Sequence, residues 1–127
     1  MANLIVAFDF GLKHIGVAVG QSITGSASPV TTLRARNGRP DWNALKTLVE
    51  HWQPSDLVVG LPLNMDDSES EMSKRARDFA AELGRQTRLP VHLVDERLSS
   101  FEAKQLDDQD NHAVAATLIA QTWLGQQ

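Results

Sequence analysis

Apolar residues at the start of the chain fall into two runs around a short turn. Leu4-Ile5-Val6-Ala7-Phe8 closes on Asp9, and Ile15-Gly16-Val17-Ala18-Val19 begins just after Gly11-Leu12-Lys13-His14. This pattern predicts strands over 4–9 and 14–20 joined as a hairpin. β-Branched content predicts a third strand over about 28–35. Asn37-Gly38-Arg39-Pro40 carries turn chemistry. Asp41 then serves as N-cap of a helix on which Trp42, Leu45, Leu48, Val49 and Trp52 recur at helical spacing. Pro54-Ser55 ends that helix, and the unbroken apolar run over 56–61 suits a central parallel strand. A loop over 62–68 leads into a long helix from about 69 to 87, with Met72, Ala76, Phe79, Ala80 and Leu83 on its apolar face. A strand over 90–94, a short helix around 99–105 and an Ala-rich helix from about 111 to 124 complete the pattern.

Three leading strands as an antiparallel meander, followed by α/β crossovers, predict an α/β fold: a mixed five-stranded sheet with helices on both faces. Ligands of such sheets gather at the carboxyl ends of the strands, near a topological switch. Asp9, the loop at 61–65 and Glu96 all fall at such ends. A carboxylate at the tip of a buried strand is costly unless a cation or several hydrogen bonds offset it. Asp9 therefore reads as a metal or phosphate site, against the plainer reading of a strand-end residue that caps the turn.

Composition narrows the choice. The chain has 127 residues, enough for one domain over 1–127 and too few for two lobes. Absence of cysteine excludes disulfides and thiolate metal sites and fits a reducing cytoplasm. No apolar stretch approaches membrane-spanning length, and no basic residue precedes the first apolar run as a signal peptide would require. The net charge of −4 is unevenly spread. Lys13, Arg34, Arg36 and Arg39 stand against Asp9 alone in the first 40 residues, a net +3, while the other 87 residues hold 8 basic and 15 acidic residues. A basic rim beside an acidic cluster suits a polyanion handled by carboxylate-held metal; a solvated surface with chance asymmetry is the competing reading.

Two-metal hydrolysis of phosphodiesters needs several carboxylates converging from different elements on ions about 4 Å apart. Hard divalent ions such as Mg²⁺ or Mn²⁺ take oxygen ligands, which a cysteine-free chain can supply. Asp9 ends the first strand and Glu96 follows the last, so a third carboxylate is expected from Asp107-Asp108-Gln109-Asp110-Asn111-His112 at the amino end of the final helix. Taken alone, that acidic run reads as helix capping. Arg97 offers a planar fork for phosphate beside Glu96. Ser99 can cap a helix or donate to phosphate, and Asn64 can orient a phosphate or close a turn.

Three segments in order carry a resemblance. Ala7-Phe8-Asp9-Phe10-Gly11 with Ile15-Gly16-Val17-Ala18-Val19-Gly20, then Val59-Gly60-Leu61-Pro62-Leu63-Asn64-Met65-Asp66, then Asp95-Glu96-Arg97-Leu98-Ser99 resemble the YqgF family. Its members are bacterial Holliday-junction-resolvase-like proteins, also assigned as pre-16S rRNA processing nucleases. The resemblance spans essentially the whole chain. It implies a ribonuclease-H-like fold and a cytoplasmic nuclease dependent on Mg²⁺ or Mn²⁺, acting on pre-rRNA or branched DNA, with a ribosomal precursor as a partner. It maps the first catalytic, metal-holding carboxylate to Asp9 and the second to Glu96. The third falls on His112 by ungapped counting from Leu118, Gln121 and Trp123, and on Asp110 with a two-residue slip; Asp110 is the expectation adopted. Lys13, Asn64, Arg97 and Ser99 are the expected substrate-binding residues. Asp66-Asp67 replaces the family's usual Asp-Gly, and the connection from Lys104 to Asp110 is shorter than the family's usual loop.

Asp9 and the following Gly strand also resemble the phosphate loop of the actin, sugar-kinase and Hsp70 superfamily, whose two-lobed clamp needs more chain than this. A non-catalytic module that holds structured nucleic acid or a pre-ribosome is the third reading. Pre-rRNA and branched DNA as substrate, monomer and homodimer as state, and Mg²⁺ and Mn²⁺ as cofactor are all compatible with these residues.

Overall fold

The computed structural model describes residues 3–62, 70–95 and 111–127. The elements are β1 (Leu4–Asp9), β2 (His14–Gln21), β3 (Ser26–Arg36), β4 (Arg39–Pro40), α1 (Trp42–Trp52), β5 (Asp56–Leu61), α2 (Glu71–Thr87), β6 (Val91–Asp95) and α3 (Asn111–Gly125). The short helix expected around 99–105 lies outside the described residues, as do Asn64, Glu96, Arg97, Ser99 and Asp110.

The strands form one sheet in the order β4-β3-β2-β1-β5-β6. The meander β1-β2-β3 is antiparallel, and β5 and β6 continue parallel to β1, as the pattern predicts. Among the described residues the sheet has six strands rather than five. The extra one is β4, and its cause is the turn at Asn37-Gly38. Both residues have positive φ, 52° and 81°, the geometry of a two-residue turn that returns a strand directly onto its neighbour. Arg39 therefore pairs with Arg36, and Pro40 with Ala35.

Alternation along β1 divides the core. Val6 and Phe8, with Ile15, Val17, Leu57 and Val59, pack under Leu45 and Val49 of α1 and Ala76, Phe79, Ala80 and Leu83 of α2. Ile5, Ala7, Val58 and Val94 pack under Ile119, Ala120 and Leu124 of α3. On the first face Phe79 anchors an aromatic cluster, its ring centroid 5.2 Å from Phe10, 5.7 Å from Trp42 and 5.9 Å from Phe8. Among the described residues no helix is long and apolar enough to cross a membrane.

Local chemistry sets the helix ends. The Asp41 carboxylate accepts from the backbone of Asn43 and Ala44, the N-cap role its position suggests. Gln53 takes a left-handed conformation just before Pro54 and stops α1. Ser70 and Ser73 form a reciprocal capping box at the start of α2. The Ser70 hydroxyl also donates to the Pro62 carbonyl at 3.1 Å, closing the base of the connection between β5 and α2.

Candidate functional site

Parallel register places the carboxyl ends of β1, β5 and β6 on one edge. Phe8 pairs with Val59, and Leu61 pairs with Asp95, the residue just before Glu96 in the chain. The antiparallel ladders bring the start of β2 and the end of β3 to the same edge, with His14 opposite Arg34.

Asp9 is the last residue of β1 and only 5% exposed, one of few buried polar or charged residues among those described. It lies on the odd-numbered face of β1, toward α3, while Phe8 and Phe10 point to the α1 and α2 side.

Gly16 is Asp9's cross-strand partner. A Cβ built on Gly16 would stand 1.9 Å from the backbone oxygen of His112 and 2.8 Å from the nitrogen of Ala113. Only a residue without a side chain lets the first turn of α3 rest directly on this ladder. The helix continues with Ala113, Ala115, Ala116 and Ala120, all buried, so small residues permit close approach along its length. As a result the His112 imidazole Nδ1 stands 3.9 Å from Asp9 Oδ2. The ring of His14, first residue of β2, stacks on that of His112 with centroids 5.0 Å apart and planes at 24°.

The basic residues expected from sequence gather at this edge. Lys13, Arg34, Arg36 and Arg39 are all exposed and border two adjoining turns. Those turns are tied by backbone bonds from Ala35 to the Lys13 carbonyl at 2.8 Å and from Gly38 to the Leu12 carbonyl at 2.9 Å. Exposed cations beside a recessed carboxylate form a surface that can attract a polyanion while keeping one acidic group for a cation.

A second histidine–carboxylate pair lies at the opposite end of β5. His92 Nε2 is 2.7 Å from Asp56 Oδ2, and the His92 ring also lies 5.0 Å from that of Trp123 in α3. Burial alone would raise the Asp56 pKa, but hydrogen bonds from His92 and Ser55, with the charge of His92, carry it below its ordinary value. This pair ties β5, β6 and α3 together far from Asp9.

Of the expected site residues, Asp9 and Lys13 are therefore described on one edge. Two further residues of that edge, Gly16 and His14, had no role assigned from sequence. The signal for Gly16 was available, since a glycine inside an apolar strand marks a close backbone approach. His14 carried no such signal, because its neighbour, His112, is 98 positions away.

A divalent cation suits the donors present: a buried carboxylate at a strand end offers hard oxygen, and the imidazole adds a nitrogen. Among the described residues no group of three or more His, Cys, Asp or Glu side chains converges as a metal site.

Comparison with known proteins agrees with this architecture. Residues 3–126 match the family model described as RuvX, Holliday junction resolvase. A Pseudomonas putida protein named "Putative pre-16S rRNA nuclease" is 49% identical over 133 residues, covering 96% of this chain and 94% of the relative. An Azotobacter vinelandii protein of the same name is 48% identical over 134 residues, covering 98% and 94%. The fold is also similar to that of Thermus thermophilus RuvC solved with a Holliday junction substrate, with a TM-score of 0.63 at 10% identity over 98% of this chain and 94% of that one. That likeness establishes a ribonuclease-H-like architecture.

Proposed function

The chain belongs to the RuvX family, and we propose that it is a cytoplasmic, metal-dependent nuclease that hydrolyses phosphodiesters of structured nucleic acid, with the precursor of 16S rRNA as substrate. The observation that carries this reading is the Asp9 carboxylate, buried at the end of β1 on an edge bordered by Lys13, Arg34, Arg36 and Arg39. Near-complete coverage by relatives named for pre-16S rRNA supports the choice of substrate.

In this reading Asp9 and Glu96 hold Mg²⁺ or Mn²⁺, and the amino end of the last helix supplies a third donor, for which the sequence offers Asp110 and His112. The bound cation supplies activation of water and stabilisation of the leaving oxygen. Lys13, Asn64, Arg97 and Ser99 engage substrate phosphates, Lys13 and Arg97 by charge and Asn64 and Ser99 by donating hydrogen bonds. Asp9 is screened from water on its β1 face by α3, which strengthens the attraction of its carboxylate for a cation.

The family description favours a second reading, cleavage of a four-way DNA junction; an enzyme that acts on two strands is expected to work as a homodimer. Parallel assays on a 5′-extended 16S rRNA fragment and a four-way junction, with light scattering, separate the two. Metal-dependent cleavage of the RNA by a monomer, lost in Asp9→Asn, supports the first reading. Junction cleavage by a dimer supports the second, and equal activity of Asp9→Asn on either substrate rejects both.

A further inference from the structure

We infer that His112 is the donor that the last helix contributes beside Asp9, giving this site a mixed oxygen and nitrogen ligand set in place of a third carboxylate from Asp110. The inference rests on the proposed nuclease reading for its metal but on the described geometry for its residue. Four observations converge. Gly16 seats the first turn of α3 on the ladder directly opposite Asp9, so His112 is fixed there by backbone contact rather than by a mobile side chain. Its Nδ1 is 3.9 Å from Asp9 Oδ2, beyond hydrogen-bond length and within the span of two metal–ligand bonds of about 2.1 Å each. The imidazole is one third exposed, 36%, so it keeps access from solvent while Asp9 is recessed. His14 stacks on the ring and limits its rotation, as a fixed ligand requires.

The chemical consequence is selectivity. Mg²⁺ prefers an all-oxygen shell, whereas imidazole suits ions later in the divalent series. The chain is therefore expected to favour Mn²⁺ over Mg²⁺ more strongly than an all-carboxylate site would. The competing account is a purely structural contact between His112 and Asp9, which would stabilise α3 without touching a metal.

The test uses the full chain with Mn²⁺ alone as probe, without nucleic acid. Pulsed electron paramagnetic resonance should show imidazole nitrogen coupled to bound Mn²⁺. The coupling should vanish in His112→Gln and persist in Asp110→Asn and in His14→Phe, which keeps the stacking ring. Calorimetric titration should show Mn²⁺ affinity reduced at least about tenfold in His112→Gln. His112→Asp, a second variant, should fold and move the Mn²⁺/Mg²⁺ affinity ratio toward Mg²⁺ by about tenfold or more. Absence of nitrogen coupling, or loss of Mn²⁺ binding in Asp110→Asn with wild-type binding in His112→Gln, overturns the inference. Nitrogen coupling from His112 in a protein that cleaves neither substrate upholds the inference and rejects the nuclease reading, so the two fail separately.

Discussion

Asp9 and Gly16 face each other across the β1–β2 ladder, and the space above Gly16 is filled by the backbone of His112. The glycine is thus the seat of α3 at the one place where the helix meets the recessed carboxylate. Gly16→Ala must push the helix off the sheet, because the atom in the way is a carbonyl rather than a flexible side chain. We expect a loss of about 1–3 kcal/mol in urea denaturation, typical of overpacking, together with reduced cleavage. An unchanged denaturation midpoint would mean that α3 does not rest there.

Asp9→Asn keeps the shape of the side chain and removes its charge. Cleavage should fall by at least about a hundredfold, near 2.7 kcal/mol of barrier. The thermal midpoint without metal should hold or rise, since a neutral amide costs less to bury than a carboxylate. Calorimetry beside the activity assay distinguishes this from simple unfolding. Chelation of divalent ions should abolish wild-type cleavage and leave the variant unaffected.

Asp56 predicts a pH dependence at the far end of the sheet. Its pKa in the folded protein lies below the ordinary 3.8, so the unfolded chain binds the proton more tightly. The stability it contributes is complete above about pH 5 and is lost as pH falls through 3.8 and below. Asp56→Asn should flatten that part of a stability-versus-pH curve. At neutral pH it should cost less than about 1 kcal/mol, because both members of the Asp56–His92 pair are partly exposed.

Ser70 closes two things at once, the capping box of α2 and the link to Pro62. Ser70→Ala should lower stability by about 1 kcal/mol in denaturant unfolding. Hydrogen exchange should rise at the backbone amide of Ser73, which donates to the Ser70 hydroxyl. Wild-type exchange at that amide would argue against the cap.

Much of this architecture is legible in local sequence, because period-2 and period-3.6 patterns report which face of an element is buried. The runs ending at Asp9 and Leu61, the Asp41 cap and the apolar stripe of α2 follow from neighbours within a few residues. β4 was missed because Asn37-Gly38 reads as a turn whether or not the chain beyond it pairs back. The relation of His112 to Asp9 depends on where a helix lands after a long separation in the chain. Its only local trace is the missing side chain at Gly16. Counting from the family pattern pointed to both Asp110 and His112, and pattern alone had no distance with which to choose.

One consequence of α3 concerns the order in which the protein is made. Ile5, Ala7, Val58 and Val94 lie on a sheet face whose cover is this last described helix, and His112 beside Asp9 comes from the same helix. During translation the ribosome completes the meander, α1, α2 and the six described strands before residues 111–125 exist. Until they emerge and dock, Asp9 stands on an open sheet. A nascent or prematurely ended chain therefore lacks the helix that covers Asp9, and the finished site arrives last.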